Sequence, residues 1–412
     1  MHKKFFRLGS LLLSMIIAFG IWSQPALALT DQQRLVSEVW RIVNRSYLDE
    51  TFNHQNWATV RQNTLKQPLK DDAATYEAIS GMVKTLDDPF TRFLTPDQYR
   101  NLQVSTSGEL MGVGLQIAQN PISSQLEVIA PIAGSPAEKA GIKSRDRILE
   151  IEGMSTAKLS LDDAAKRMRG PTGSFVTLLI ERDGEEKREF RLMRDRIALN
   201  PVVAELHPTP EMPIGYIRLA QFNANATVEL AHALSNLEKQ GAKAYVLDLR
   251  SNPGGLLQAG VEIARLWLDS GTIVYTVNRQ GIQGSFEAIG SALTKAPLAV
   301  LVNKGTASAS EILAGALQDN HRALLIGETT FGKGLIQSLF DLSDGSGLAV
   351  TIAKYETPDH HDINKLGIKP DTVIPQEPID RDQIGTPADL QYQAAVQLLT
   401  RKSVVATVGS KE

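Results

Sequence analysis

The chain has 412 residues, 42% of them hydrophobic, and a formal net charge of −3 at pH 7. This length and composition are typical of two or three domains with apolar cores. The basic residues form no block and no aromatic-interleaved stripe, which counts against a nucleic-acid-binding protein. The absence of cysteine excludes disulfide bonds, a thiol nucleophile and zinc–thiolate sites.

Residues 1–28 have the pattern of an export signal. A basic start precedes the uncharged apolar run Leu8–Trp22, and Ala26-Leu27-Ala28 has the A-x-A form of a cleavage site. The run is shorter than the about 20 apolar residues that a membrane-spanning helix needs. We therefore predict a cleaved signal peptide and an exported, soluble chain that begins near Leu29, with an uncleaved anchor as the alternative.

Residues 29–105 are predicted to form an N-terminal helical region. Apolar residues recur at helical spacing in Asp31–Tyr47 and again in Asp72–Leu86. The second pattern ends just before Asp88-Pro89, and a proline disfavours helical backbone in the residue that precedes it. We therefore expect a helix stop and a turn there, in a segment that packs beside the core of the protein.

Residues 106–196 contain, in order, the segments of a PDZ domain, and this part of the chain resembles that family. A glycine turn and strand at Gly112–Ile117 are followed by a short helix at Ser135–Ile142 and a second helix at Ser160–Arg169, and Asp183-Gly184 is a hairpin signal. A PDZ domain adds a peptide to a strand edge, and turn amides bind its terminal carboxylate. The resemblance implies that these amides belong to Gly112, Val113, Gly114 and Leu115.

Residues 197–380 alternate between strand and helix patterns. Ile214–Leu219 and Ala244–Leu249 are apolar strand runs, and each is followed by a helix pattern. This alternation predicts right-handed crossovers and an α/β core, with functional residues at the ends of strands. Residues 381–412 are predicted to form a C-terminal helix, over Pro387–Leu399, and a tail.

Two polar side chains lie at turns of this core. Ser308 lies where the chain enters a helix predicted over Ala307–Leu317, and Lys333 lies between Gly332 and Gly334, just before a strand. With one short strand between them, the two residues could lie on adjacent strand ends. A serine hydroxyl is a weak nucleophile until a base accepts its proton. A lysine can be that base only where burial disfavours its charged form.

Other interpretations of these residues remain open. Ser308 and Glu311 fit the S-x-x-E capping box of a helix, and a lysine between glycines is often a solvated turn residue. Gly327–Lys333 matches the nucleotide-binding pattern G-x-x-x-x-G-K, but Gly334 occupies the position where a P-loop needs serine or threonine for magnesium. A nucleotide site is therefore disfavoured.

His360-His361-Asp362 is a third candidate, because adjacent histidines and an aspartate suggest a metal site or a Ser-His-Asp triad. Neighbouring residues of a strand point to opposite faces, so the two histidines are not expected to bind one ion. We predict no metal, cofactor or nucleotide requirement.

The motifs around Ser308 and Lys333 resemble those of the carboxyl-terminal processing, or tail-specific, proteases. The matching segments are Thr306–Ile312, Thr330–Gly334, Gln337 and Leu247–Leu256. The resemblance implies a multidomain α/β protein with a Ser/Lys protease core, an inserted PDZ domain and an N-terminal helical region. It assigns Ser308 as nucleophile, Lys333 as general base and Gln337 as the group that orients the lysine.

Leu247–Leu256 is interpreted as a buried strand that ends in a Gly-Gly turn and opens a helix. Exposed N–H groups at such a turn suit an oxyanion hole. The family match assigns this role to the amides of Gly254 and Ala309, with Gly255 as an alternative to Gly254.

The resemblance is strongest to the cyanobacterial and chloroplast branch of the family. It implies an enzyme of the thylakoid lumen or periplasm that removes a C-terminal extension from the precursor of the photosystem II reaction-centre core subunit. This cleavage permits assembly of the manganese cluster. The expected partner is the C-terminus of a membrane-protein substrate, and no nucleic acid is expected. The alternative is a peptide-binding scaffold or chaperone with an inactive protease core.

Overall fold

The structure is a computed structural model. It describes residues 29–409 except 121, 122, 124, 183, 184, 378 and 380–382, with side chains as far as residue 400. The predicted export signal and the predicted Asp183-Gly184 turn lie outside the described residues. Within the described part of the chain, no helix combines the length and hydrophobicity needed to cross a membrane.

The chain divides into two compact units, and the first comprises residues up to Pro96 together with Gln337–Thr351. Its N-terminal elements are α1 (Asp31–Ser46), α2 (Trp57–Leu65), α3 (Asp72–Lys84) and β1 (Arg92–Leu94). Thr30 caps α1 through a capping box with Gln33, which satisfies amides that lack helical partners. The two predicted helices are confirmed. The strand β1 was not predicted, because it forms by antiparallel pairing with Gly347–Ala349, far away in sequence.

The second unit begins with the PDZ domain. Its elements are α4 (Pro96–Ser107), β2 (Glu109–Gly112), β3 (Leu115–Gln119), β4 (Leu126–Pro131), α5 (Pro136–Lys139), β5 (Arg147–Ile151), β6 (Met154–Ser155), α6 (Leu161–Met168), β7 (Phe175–Glu181), β8 (Arg188–Met193) and β9 (Asp195–Ala198). Five strands form a sheet in the order β3-β4-β5-β7-β8, β6 pairs with β5, and β2 pairs with β9. Antiparallel pairing of β7 with β8 confirms the predicted hairpin strands.

The α/β core follows in the same unit. Its elements are β10 (Val202–His207), β11 (Ile214–Leu219), α7 (Ala226–Lys239), β12 (Ala244–Asp248), α8 (Leu257–Arg265), β13 (Thr272–Asn278), β14 (Gly281–Glu287), β15 (Leu298–Val302), α9 (Ala309–Asp319), β16 (Leu324–Gly327), β17 (Leu335–Asp341), β18 (Gly347–Glu356), β19 (Thr372–Val373) and α10 (Leu390–Gly409). The last part of β17 and the first part of β18 belong to the first unit.

A six-stranded sheet in the order β10-β11-β12-β15-β16-β19 forms the centre of this core. Only β10 is antiparallel to its neighbour, and the other pairs are parallel. Leu247 and Val300 pack in one hydrophobic cluster with α7, α8 and α9, whereas Val246 and Leu301 pack in another with α10. Both faces of the sheet are therefore covered, which explains the continuous apolar runs of β12 and β15.

Parallel pairing brings the carboxyl ends of β12, β15 and β16 to one edge of the sheet. The loops that follow these strands carry Asn252–Gly255, the Ser308 turn and the Lys333 loop. The segments that carry the candidate residues thus follow strand ends, as the sequence analysis expected, and the roles of those residues stay predictions.

Two parts of the core differ from prediction. The last helix continues to Gly409, beyond the predicted end at Leu399. The ten-residue strand β18 was not predicted, although its second half alternates between buried and partly exposed residues as strands do. Two of its partners, β1 and β13, come from distant parts of the sequence, whereas β17 directly precedes it along the chain.

Candidate active site

Ser308 is held in an unusual backbone conformation immediately before α9. Its φ and ψ angles are 60° and −119°, a sparsely populated region for a residue with a side chain, which costs on the order of 1–3 kcal/mol. The turn before it is fixed by Thr306, whose hydroxyl donates to the carbonyl oxygen of Leu249 at 2.9 Å. A strained backbone at the start of a helix can present a serine hydroxyl for nucleophilic attack.

Glu311 joins the serine turn to the lysine loop. Its carboxylate is fully buried and accepts hydrogen bonds from the backbone N–H groups of Ser308, Gly332 and Lys333 at 2.8, 2.7 and 2.8 Å. It also accepts a bond from the Thr330 hydroxyl at 2.5 Å. The predicted reach of Glu311 back to Ser308 is confirmed, but the other three bonds are not part of a helix cap. One carboxylate therefore sets the positions of both chain segments.

The lysine loop packs closely against a second stretch of backbone. A Cβ atom added at Gly334 would lie 2.4 Å from the backbone nitrogen of Asn364, and one added at Gly332 would lie 3.1 Å from that of Leu366. Such close approach requires glycine at both positions. The half-buried Lys333 therefore lies in a loop whose backbone could not take this path if either flanking residue had a side chain.

Tyr355 is a site residue that the sequence analysis did not single out. Its ring is only 2% exposed, and its hydroxyl oxygen lies 3.2 Å from Ser308 Oγ and 2.5 Å from the carbonyl oxygen of Lys333. Burial raises the pKa of this phenol well above its ordinary value. The available sequence signal was the alternation of Ala353 and Tyr355 with Lys354 and Glu356, which is typical of a half-buried strand. A tyrosine on the buried face of such a strand usually has a hydrogen-bond partner.

Gly254 lies directly beside the serine. Its φ is 92°, and an added Cβ atom would lie 2.8 Å from Ser308 Cβ and 2.9 Å from the Ala309 nitrogen. Within the described residues, the Ala309 N–H donates to no acceptor. This juxtaposition fits an oxyanion hole in front of the first amide of α9.

The N–H groups of Gly254 and Gly255, the two candidate oxyanion donors, differ in their hydrogen bonds. The Gly254 N–H donates to Asn252 Oδ1 at 2.9 Å, so its predicted oxyanion role requires that it share or exchange this bond. The alternative donor, the Gly255 N–H, makes no hydrogen bond to any residue that the structure describes. The assignment of Gly254 stays a prediction.

Alanine at position 254 is expected to lower kcat/KM by about 10²-fold or more, because its Cβ would fill the space beside the Ala309 amide. Gly241→Ala is the matched control, since Gly241 has a φ of 99° and nothing within 4 Å of an added Cβ. Both variants carry a similar backbone strain. Peptide-cleavage kinetics at a temperature well below both melting points would separate a loss of activity from a loss of stability. Equal reductions of kcat/KM in the two variants would contradict the assignment.

A buried ion-pair network fixes the start of the Gly-Gly turn. Arg250 donates to Asp248 through Nη2 at 2.6 Å and to Asp389 through Nη2 and Nη1 at 2.7 and 2.8 Å. Burial acts to raise the pKa of Asp389, but its bonds with Arg250 hold that pKa below the usual range. The sequence analysis assigned no role to Arg250 or Asp389, which are 139 residues apart.

Gln337 lies in β17, four residues after Lys333. Its side-chain amide donates to Thr351 Oγ1 at 3.4 Å, and both residues belong to the first compact unit. The predicted role of Gln337 in orienting the lysine stays a prediction.

The two adjacent histidines have separate surroundings. His360 stacks on Tyr275 with ring centroids 4.2 Å apart. His361 lies with Asp319 and Asp359 in a group whose potential ligand atoms are all within 4.8 Å of one another, and among the described residues this group has the spacing that could hold a metal ion. In the described part of the chain, neither imidazole is hydrogen-bonded to Ser308.

The PDZ glycine turn lines a groove between β3 and α6. The groove is bounded by Leu115 and Ile117 on the strand and by Ala165 and Met168 on the helix. The N–H groups of Val113 and Gly114 donate to none of the described residues, whereas their carbonyl groups accept bonds from Ala137 and Ile132. The predicted peptide-binding turn therefore has amides available, and its role stays a prediction.

A strained serine turn joined through one carboxylate to a lysine loop fits a serine nucleophile with a nearby base, and a PDZ domain suits a polypeptide substrate. The fold and site together define a serine-type peptidase.

Comparison with known proteins agrees with this class. The chain matches Peptidase family S41 over residues 213–374 and a PDZ domain over residues 127–182. A carboxyl-terminal-processing protease of Synechocystis sp. is 60% identical over 98% of this chain and 95% of its own length. Carboxyl-terminal-processing peptidase 2, chloroplastic, of Arabidopsis thaliana is 47% identical over 89% of this chain and 73% of its own length.

The solved structure of a photosystem II D1 C-terminal processing protease is 42% identical, covers 87% of this chain and 99% of that chain, and gives a TM-score of 0.56. The chain therefore belongs to the carboxyl-terminal-processing proteases of peptidase family S41. The predicted family, fold class and enzyme class are confirmed.

Proposed function

We propose that this protease cleaves C-terminal extensions from exported proteins by means of a Ser308/Lys333 dyad. The observation that carries the proposal is the buried Glu311 carboxylate, which binds the backbone of both residues. This shared contact keeps the nucleophile turn and the lysine loop in a fixed relation. Preorganisation of that kind supplies a large part of enzymatic rate enhancement.

In the proposed mechanism, Ser308 Oγ attacks the scissile carbonyl carbon while Lys333 Nζ, in its neutral form, accepts the hydroxyl proton. The oxyanion of the tetrahedral intermediate is stabilised by the amides of Ala309 and Gly254, at about 3 kcal/mol per donor. Lys333 then gives its proton to the departing amine as the C–N bond breaks. Lys333 then deprotonates a water molecule that attacks the acyl carbon, and as the bond to Ser308 Oγ breaks, Lys333 returns that proton to Ser308 Oγ.

The substrate is proposed to be the precursor of the photosystem II reaction-centre core subunit, whose processing permits manganese-cluster assembly. The solved relative named for processing photosystem II D1 supports this substrate class. Relatives in cyanobacteria and chloroplasts, together with the export pattern of residues 1–28, support a location in the thylakoid lumen or periplasm. The PDZ groove would bind the free C-terminus of the extension.

The test uses a peptide that copies the C-terminus of the precursor, prepared with a free carboxylate and as the amide. We expect residues 29–412 to cut the free-acid peptide at one bond and release the extension, with slower cleavage of the amide because the PDZ turn amides bind an anion. Mass spectrometry of the products gives the cut site. Ser308→Ala, which lacks the proposed nucleophile, is the negative control.

Two outcomes would contradict the proposal. Cleavage by Ser308→Ala at the rate of the unsubstituted protein would remove the serine from the mechanism. Binding of the free-acid peptide without cleavage would favour a scaffold role.

A further inference from the structure

The Tyr355 hydroxyl forms a bridge between the candidate nucleophile and the main chain of the candidate base. It is 2.5 Å from the carbonyl oxygen of Lys333 and 3.2 Å from Ser308 Oγ. All three residues belong to the same compact unit. The Tyr355 backbone is also fixed, because its N–H donates to the Gly334 carbonyl oxygen at 3.0 Å.

The direction of the two hydrogen bonds follows from donor chemistry. A carbonyl oxygen can only accept, so the single phenolic proton of Tyr355 is donated to Lys333. The phenolic oxygen then faces Ser308 Oγ with its lone pairs, and the serine hydroxyl must be the donor in that contact. The short bond to Lys333 also polarises the phenol, which makes its oxygen a better acceptor.

This arrangement fixes the resting orientation of the serine hydroxyl. A neutral phenol is too weak a base to remove the serine proton, so the phenol sets where Ser308 Oγ lies, and the serine hydroxyl turns from Tyr355 to a stronger base when its proton is transferred. The same phenol restrains the peptide group of Lys333 and thereby the origin of the lysine side chain.

We propose that Tyr355 is a positioning residue for the Ser308/Lys333 dyad, an inference that rests on the function proposed above. Its hydroxyl couples the orientation of Ser308 Oγ to the main chain of Lys333. It acts on the chemical step rather than on substrate binding, because both of its hydrogen-bond partners belong to the dyad.

The test variant is Tyr355→Phe, which keeps the buried ring and removes only the hydroxyl. We expect kcat to fall by about 10- to 100-fold with KM unchanged within about twofold, the signature of an interaction that matters in the transition state. Tyr245→Phe is the matched control, since Tyr245 is 1% exposed and packs edge-on against Trp267 in the same core. That control is expected to retain kcat and KM.

A merely structural role makes a different prediction. It would lower the melting temperature of Tyr355→Phe and leave kcat per folded molecule unchanged when the assay is run well below that temperature. An unchanged kcat, or a rise in KM at constant kcat, would overturn the inference.

Ser308→Ala, assayed in parallel, separates the two proposals. If Ser308→Ala is inactive and Tyr355→Phe is fully active, only the positioning role fails. If Ser308→Ala is active, the proposed dyad itself fails.

Discussion

Replacing Lys333 with alanine is expected to lower kcat by about 10⁴-fold. Without a base, the serine hydroxyl is almost entirely protonated near neutral pH, and general-base catalysis contributes up to about 10⁴-fold. The fold should persist, because the backbone N–H and carbonyl groups of Lys333, which bind Glu311 and Tyr355, are present in any residue at this position. The measurement is kcat for the precursor peptide, with thermal unfolding as the check on folding.

Lys365→Ala is the control for Lys333, because Lys365 is exposed and its backbone N–H donates to the Gly332 carbonyl oxygen of the same loop. It should keep nearly full activity. The double variant Ser308→Ala/Lys333→Ala should be no slower than either single variant, since residues that act as a unit are not additive. Loss of activity in His361→Ala with retention in Lys333→Ala would instead indicate a Ser-His-Asp triad.

The second large effect is expected for Glu311→Gln, which should lower kcat by about 10³-fold and also lower the melting temperature. Three N–H groups and one hydroxyl donate to the Glu311 carboxylate, and an amide NH₂ in its place would face one of those donors. Hydrogen bonds to a charged group contribute about 1.5–3 kcal/mol each. Loss of the negative charge also removes its favourable interaction with the N-terminus of α9.

Glu328→Gln provides the comparison for Glu311. Glu328 forms an ion pair of 3.0 Å with Lys304, whose side chain is 82% exposed, and such surface pairs contribute little. Its activity and melting temperature should be close to those of the unsubstituted protein. Full activity of Glu311→Gln would show that the shared carboxylate is not needed to hold the serine turn and the lysine loop together.

The parts of the fold that the sequence predicted well are those with local signals. Apolar periodicity located α1, α3 and α7, and the ordered PDZ segments located β3, α5 and α6. The start of α9 was predicted at Ala307, two residues early, because the propensities of alanine and serine do not reveal the unusual φ of Ser308.

The unpredicted parts of the site depend on contacts between distant segments. The link from Glu311 to Lys333 spans 22 residues, and the link from Ser308 to Tyr355 spans 47. Neither follows from a local motif, since a glutamate three residues after a serine is explained by helix capping alone. The bond from the Gly254 amide to Asn252 is local, but nothing in the Asn-Pro-Gly-Gly sequence shows which amide the asparagine oxygen selects.

The backbone angles of Ser308 have a consequence for how this protein balances activity against stability. A glycine would adopt a φ of 60° with less strain, so serine is not the residue that the folded state alone would favour at position 308. The bonds that Glu311 accepts from the Ser308 amide and from the Gly332 amide of the lysine loop offset that cost. Selection for thermostability alone would therefore oppose serine at this position, and its retention is explained if Ser308 is the proposed nucleophile.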